Sequence, residues 1–451
     1  MKKLVILPLF LGGFLFAQSQ ADSLQFKKIS DHILVKGEAY KDLTELTKGI
    51  GNRLSGSANY DKAVKWAEAK LWEAGADKVW LQEVMVPVWV RGKESLHIKS
   101  GNGGWKSVKM LSLGNSEGTG GKDLTGEILM VNTFDEFKKL SENQVKGKIV
   151  FFNFEWRHDY VEPFKAYGEA GIYRRSAASE VAKKSGKAAI IRSLSSAFDD
   201  EPHTGSIRYE DNVVKVPAAA IGNHSADELA KLLTSQKVTA KLNSNCGMKA
   251  DKLSYSVIGE LTGKKDNSVI IAAGHLDSWD VGEGAHDDGS GIVQSIEVLR
   301  TFKRLGIQNN HTIRVICYAN EENGVKGGYK YLEEVKKSGE KHLFAIESDA
   351  GGFSPRGIAM DMSQDKINQI KAWSNLFLPY GIYDFEKRHS GVDIGPLKQI
   401  GVPLAGLFPD PQRYFDIHHT HEDTLDKVNR RELLMGATVL TQLVYMIDKN
   451  W

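Results

Sequence analysis

Histidines and acidic residues that could do chemistry gather in five short segments in the C-terminal part of the chain. They are Gly274-His275-Leu276-Asp277, Gly284-Ala285-His286-Asp287-Asp288-Gly289, Asn320-Glu321-Glu322-Asn323-Gly324, Glu347-Ser348-Asp349-Ala350-Gly351 and His418-His419-Thr420-His421-Glu422-Asp423. Imidazole and carboxylate ligands without thiolates suit zinc in a catalytic, solvent-accessible site. The set exceeds what one tetrahedral ion needs. Two ions about 3.5–4 Å apart, sharing a carboxylate and a water, would use it. Of the tandem acids Glu321 and Glu322, one can bind metal while the other, uncoordinated, acts as general base.

Each segment alone has a plainer reading. Gly-His-Leu-Asp also describes a strand-end histidine hydrogen-bonded to a nearby acid. Glu-Glu is commonly a solvated turn, and the run His418 to His421 a polar loop or an adventitious metal tract. The glycine-rich stretch Gly282 to Gly291 lacks the G-x-G-x-x-G spacing, and Glu283, Asp287 and Asp288 would repel a pyrophosphate. No H-E-x-x-H helix is present, which sets aside the single-zinc proteases of that kind. The weight rests on the joint order of the five segments.

Those segments need elements to position them. From Ser268 onward strands and helices alternate: strands at Val269–Ala273, Ile313–Ala319, Leu343–Ile346 and Val402–Phe408, helices at Gly291–Leu305, Val325–Lys336 and Arg430–Ile447. This pattern predicts an α/β fold, a mostly parallel mixed sheet flanked by helices. In such sheets sites form outside the carboxyl ends of strands, where separate loops converge. Upstream, Asp61–Ala74 has helical spacing and Val79–Val90 reads as extended. Between Leu113 and Ser244, short strands (Gly126–Val131, Gly147–Phe152, Lys187–Arg192, Val216–Ile221) alternate with turns and two modest helices. The 451 residues exceed one ordinary core. The expected division is 21–112, the N-terminal part of the catalytic domain; 113–248, a β-rich insert; and 249–451, the core that carries the ligand segments.

At the N-terminus, Lys2 and Lys3 precede the apolar run Leu4 to Phe16, with small and polar residues around Ala17 to Gln20. This reads as a signal peptide over 1–20 and implies export, periplasmic or secreted. Nothing later suggests a membrane span. With 59 basic and 57 acidic residues the formal charge is +2, which gives no reason to invoke nucleic acid. Cys246 and Cys317 read as free thiols.

The series His275 to Asp280, Gly284 to Gly289, Glu321-Glu322, Glu347 to Gly351 and His418 to Asp423 resembles the co-catalytic zinc aminopeptidase and glutamate carboxypeptidase family. The first and last segments look closest to its plasma glutamate carboxypeptidase branch. The resemblance is strong over about 255–450; upstream, the insert looks like the protease-associated domain that members carry. It implies two zinc ions. His275 and Asp349 would be terminal ligands of one and Glu322 and His419 of the other, with Asp287 bridging. Glu321 matches the general base, and Asp277 the acid behind His275 that fixes its tautomer. His419 is preferred over His418 and His421, and Asp287 over Asp288, on the resemblance alone. His418 is a candidate donor to the substrate oxyanion and His389 a candidate substrate contact; either also reads as an ordinary loop histidine.

The implied activity is exopeptidase action on dipeptides or short peptides. Alternatives are an aminopeptidase acting on longer peptides, a non-catalytic peptide-binding protein on the same fold, and an acyl transferase resembling glutaminyl cyclase. No expected ligand is missing, which disfavours the binding protein, and the insert disfavours the transferase. Arg174 and Arg175 could meet a substrate carboxylate, although a solvated face is their commoner fate. Relatives pair as dimers, so a homodimer is an expectation.

Overall fold

In the run Val269–His275 every residue before the terminal histidine is apolar, and every residue of the run is buried. Ile270 and Ala272 face one side, Ile271 and Ala273 the other, as the two-residue period of a strand requires. This strand lies at the heart of a seven-stranded sheet in a computed structural model that describes residues 9–451, with side chains from Gln20 onward. The signal peptide expected over 1–20 lies, but for its last residue Gln20, outside the described side chains. No helix among the described residues is long and apolar enough to cross a membrane.

The strands of this sheet are β1 (Lys78–Val90), β2 (Gly247–Leu261), β3 (Val269–His275), β4 (Thr312–Tyr318), β5 (His342–Glu347), β6 (Pro355–Asp361) and β7 (Leu404–Pro409), in the order β1-β2-β4-β3-β5-β7-β6. β4, β3, β5 and β7 run parallel, whereas β1, β2 and β6 join antiparallel at the two edges. Helices Ala58–Glu73, Ser290–Leu305 and Arg430–Asn450 cover one face through Ala67, Leu71, Ile292, Ile296, Val439 and Leu443. Helix Lys326–Ser338 covers the other through Tyr331, Leu332 and Val335. Each fully buried Leu, Ile or Val contributes about 1.5–3 kcal/mol, so the sheet is a rigid platform for the loops at its end.

A second sheet of eight strands spans Glu94–Ser244. Its strands Glu94–Ser100, Lys106–Val108 and Met110–Ser112 precede residue 113, so the boundary expected there falls inside the sheet. These strands are short and separated by a glycine-rich turn, which weakens their periodicity. Helix Pro163–Lys183 is longer than the modest helices expected, because its buried positions include Ala166, Ala170, Gly171, Ala177 and Ala178, too small to give a strong apolar stripe.

The two sheets are locked together beside the strand ends. Tyr414, Phe415, Ile417 and Phe353 of the larger domain join the apolar core under the insert's long helix. Gly114 lies against the Trp279 ring so closely that a Cβ would sit 1.9 Å from Cη2. Arg91 donates to both oxygens of Asp280, at 2.8 and 2.7 Å, and to the Ser112 carbonyl at 2.6 Å. Cys246 and Cys317 are both free and buried.

Candidate metal centre

β3 ends at His275, the loop after β4 carries Glu321 and Glu322, and Asp349 lies just past β5. A long loop brings Asp287 between them, and His419 enters from beyond β7. His275 Nε2 lies 3.2 Å from Asp287 Oδ1 and 3.4 Å from Asp349 Oδ1. His419 Nε2 lies 3.1 Å from Asp287 Oδ2 and 3.2 Å from Glu322 Oε2. Two triads thus share one carboxylate, each triad using a different oxygen of Asp287.

These donors fit metal ions better than they fit one another. His275 Nε2 is buried and makes no hydrogen bond despite its close carboxylates, so the donor atoms of His275, Asp287 and Asp349 converge on shared space instead of pairing, as do those of Asp287, His418 and His419. Burial, with Asp349 and Asp287 close by, pushes Glu321 well above the usual carboxylate range. Glu322 is pushed up by burial and by Asp287. Cations at the centre would relieve that repulsion.

The surrounding residues hold these candidate ligands in place. The Asp277 carboxylate accepts the backbone N–H groups of Glu321 and Glu322 at 3.1 and 3.3 Å. Its nearest approach to His275 Nδ1 is 3.7 Å, and that nitrogen instead lies 3.1 Å from the Asp277 backbone carbonyl. Asp277 therefore orients His275 through its main chain and the two glutamates through its side chain. Asp423 accepts from His286 and Asp287 N–H at 2.7 and 3.1 Å and fixes the bridging loop; burial pushes its carboxyl up to about 7. Asp288 faces away, accepting from the N–H groups of His275 and Gly291.

His418 and His419 stack with ring centroids 3.5 Å apart, and His418 Nε2 is 3.5 Å from Asp287, so His419 is the nearer to both Asp287 and Glu322. His421 is half exposed and lies outside the centre. The centre opens into a cleft of 1190 Å³ lined by Asp287, Glu321, Glu322, Asp349, His418, His419 and His389. The insert lines it too, through Phe164, Tyr167, Arg174, Arg175 and Arg208. Arg174 is buried, not part of a solvated face, whereas Arg175 is exposed.

Two supports had no sequence signal. Buried Arg53 donates to the carbonyls of Leu276, Glu283 and Gly284 at 2.6, 2.9 and 3.0 Å, tying the β3 loop to the Asp287 loop. Thr204 of the insert donates its N–H to the His419 carbonyl at 3.0 Å, and its own carbonyl lies 3.3 Å from His419 Nδ1. Both are remote in sequence from the residues they hold.

The sequence profile of peptidase family M28 matches residues 256–444. Carboxypeptidase Q of Homo sapiens is 33% identical over 91% of this chain and 85% of its own length. The crystal structure of a peptidase M28 precursor from Shewanella amazonensis superposes with a TM-score of 0.89 at 31% identity, covering 95% of this chain and 97% of that one. A zinc aminopeptidase from Bacillus subtilis shares the fold, with a TM-score of 0.65 at 19% identity over 91% of this chain and 94% of its own.

Proposed function

The chain belongs to peptidase family M28 as a zinc metallopeptidase, and from that premise we propose that it is an exported exopeptidase that uses two zinc ions to cleave short peptides. One ion would be held by His275, Asp287 and Asp349, the other by Asp287, Glu322 and His419. The observation that carries this reading is the sharing of Asp287 between two triads, with Glu321 beside them in the cleft and outside both.

When bound, the ions supply Lewis-acid polarisation of the scissile carbonyl and acidify the attacking water. Glu321 accepts that water's proton and delivers it to the leaving amine. Its backbone is fixed by Asp277, so its carboxylate needs little reorganisation. Burial, followed by the neighbouring His419, holds the His418 imidazole neutral, leaving one N–H to donate to the developing oxyanion. His389, which also lines the cleft, would contact the substrate.

The eight-stranded insert, read as a protease-associated-like domain, closes one side of the cleft and favours short substrates over long chains. Lys2, Lys3 and the apolar run to Phe16 support export. The family resemblance also supports pairing as a homodimer.

The test is to strip metal from the mature protein, restore zinc, and follow both zinc stoichiometry and hydrolysis of dipeptides, N-blocked dipeptides and aminoacyl chromogens. Two equivalents of zinc should restore activity, and Glu321→Gln should lower kcat by at least about 10²-fold with zinc still bound. Hydrolysis that survives both metal removal and Glu321→Gln sinks the mechanism.

A further inference from the structure

Glu321 sits on loop 320–325, between β4 and the helix Lys326–Ser338. Among the described residues its carboxylate has no hydrogen-bond partner, so its place is set by the backbone that carries it. Asp277 holds the start of that loop through the N–H groups of Glu321 and Glu322. The far side is held differently. Val325 N–H closes the loop onto the Asn320 carbonyl at 2.5 Å, and both closing residues are left-handed, Asn320 at φ +67° and Val325 at φ +56°. A β-branched residue rarely adopts that conformation, so the turn persists because its surroundings impose it.

Those surroundings are a chain of three carboxamides. Asn320, fully buried, donates from Nδ2 to Asn323 Oδ1, and Asn323 donates from Nδ2 to Asn115 Oδ1 at 3.2 Å. The Asn320 amide lies across the loop, where a Cβ on Gly324 would be 2.2 Å from its Oδ1. The last member belongs to the insert. Asn115 is itself left-handed, at φ +67°, in a turn closed by Ser116 N–H on the Leu113 carbonyl at 3.1 Å. Its neighbour Gly114 donates to the Gly205 carbonyl at 2.9 Å and packs on Trp279, whose N–H donates to Glu322 Oε1 at 3.0 Å. One turn of the insert thus reaches the tandem glutamates by two routes, through Trp279 to Glu322 and through the amides to the loop that carries Glu321.

We propose that Asn115 and Asn323 are positioning residues for the general base: their amides fix loop 320–325 so that Glu321 meets the attacking water with little reorganisation. This rests on the peptidase reading above and deepens it. Both residues border the cleft, yet they act through the loop. Glu322 keeps its bonds to Asp277 and Trp279 when the chain of amides is cut, so the ions stay.

The test uses zinc-loaded enzyme and a dipeptide. Asn115→Gly deletes the acceptor and Asn115→Asp keeps it, and both substitutes tolerate the left-handed backbone. Because a misplacement of ~1 Å lowers rates on the order of 10²-fold, Asn115→Gly should lower kcat about 10-fold, with KM within about 2-fold and both zinc ions retained. Asn115→Asp should recover most of that loss. Asn323→Ala should match it, and adding Asn115→Gly to Asn323→Ala should lower kcat no further, as two members of one chain require. If Asn115→Gly does not fold, Asn323→Ala carries the test, and a wild-type kcat there overturns the assignment. It is also overturned by an unchanged kcat in Asn115→Gly, by a loss carried in KM, by loss of zinc, by no recovery in Asn115→Asp, or by losses that multiply in the double variant. Each of these leaves the peptidase reading standing. Absence of any zinc- and Glu321-dependent cleavage by the wild type overturns both.

Discussion

His275 ends a buried parallel strand, its N–H received by Asp288 and its ring set by the next turn of its own loop. His419 reaches the same carboxylate from a loop, with a φ of +62° that a side chain rarely adopts. What steadies it is Thr204, from a loop of the insert. One half of the proposed centre is thus determined within the larger sheet and the other is completed by the insert. Strain in the His419 backbone persists because the docked insert over-determines it. The insert is therefore a structural partner of the chemistry as well as a wall of the cleft.

Asp287 belongs to both halves, so Asp287→Ala should have the largest effect. It is expected to remove tight binding of both zinc ions and to lower kcat/KM by at least about 10³-fold, read by zinc titration and peptide hydrolysis. Retention of one tightly bound zinc would show that one half stands without it.

Asp277→Asn comes next. The amide cannot accept both the Glu321 and Glu322 N–H groups as the carboxylate does. A loss of about 10–100-fold in zinc affinity is expected, with activity falling in step because base and ligand shift together.

The smallest effect discriminates best. Arg91 joins Asp280 of the larger domain to the Ser112 carbonyl and the Thr204 hydroxyl of the insert. Arg91→Ala should loosen the His419 half alone. Chelator-driven zinc release should become biphasic, with one ion leaving about 10-fold faster and the other unchanged. Equal acceleration of both ions would break the distinction between the halves.

Much of the larger sheet was legible because its central strands are apolar runs bounded by polar loops. The expected strands at Val269, Ile313, Leu343 and Val402 match β3, β4, β5 and β7 to within two residues at each end. β6 had no such pattern: Pro355–Asp361 is a short antiparallel edge strand after a glycine pair. β2 was masked because its first half, where it pairs with β1, carries Lys249 and Asp251 exposed and breaks the apolar run. Arg174 read as surface charge because nothing local distinguishes a buried arginine from an exposed one on a helix with small neighbours.

By itself the sequence determined the types of the candidate ligands, their order and their places at strand ends, because those follow from local spacing and apolar periodicity. It also read Cys246 and Cys317 as free thiols, and both are free. Only the tertiary structure decided that His419 lies nearer than His418 to both Asp287 and Glu322, and that Asp277 serves the glutamates through its side chain. It alone decided that Arg53, Thr204 and Arg174 reach the cleft or its supports. Those contacts join segments of irregular backbone far apart in the chain, where no periodicity exists and position depends on how two packed cores meet.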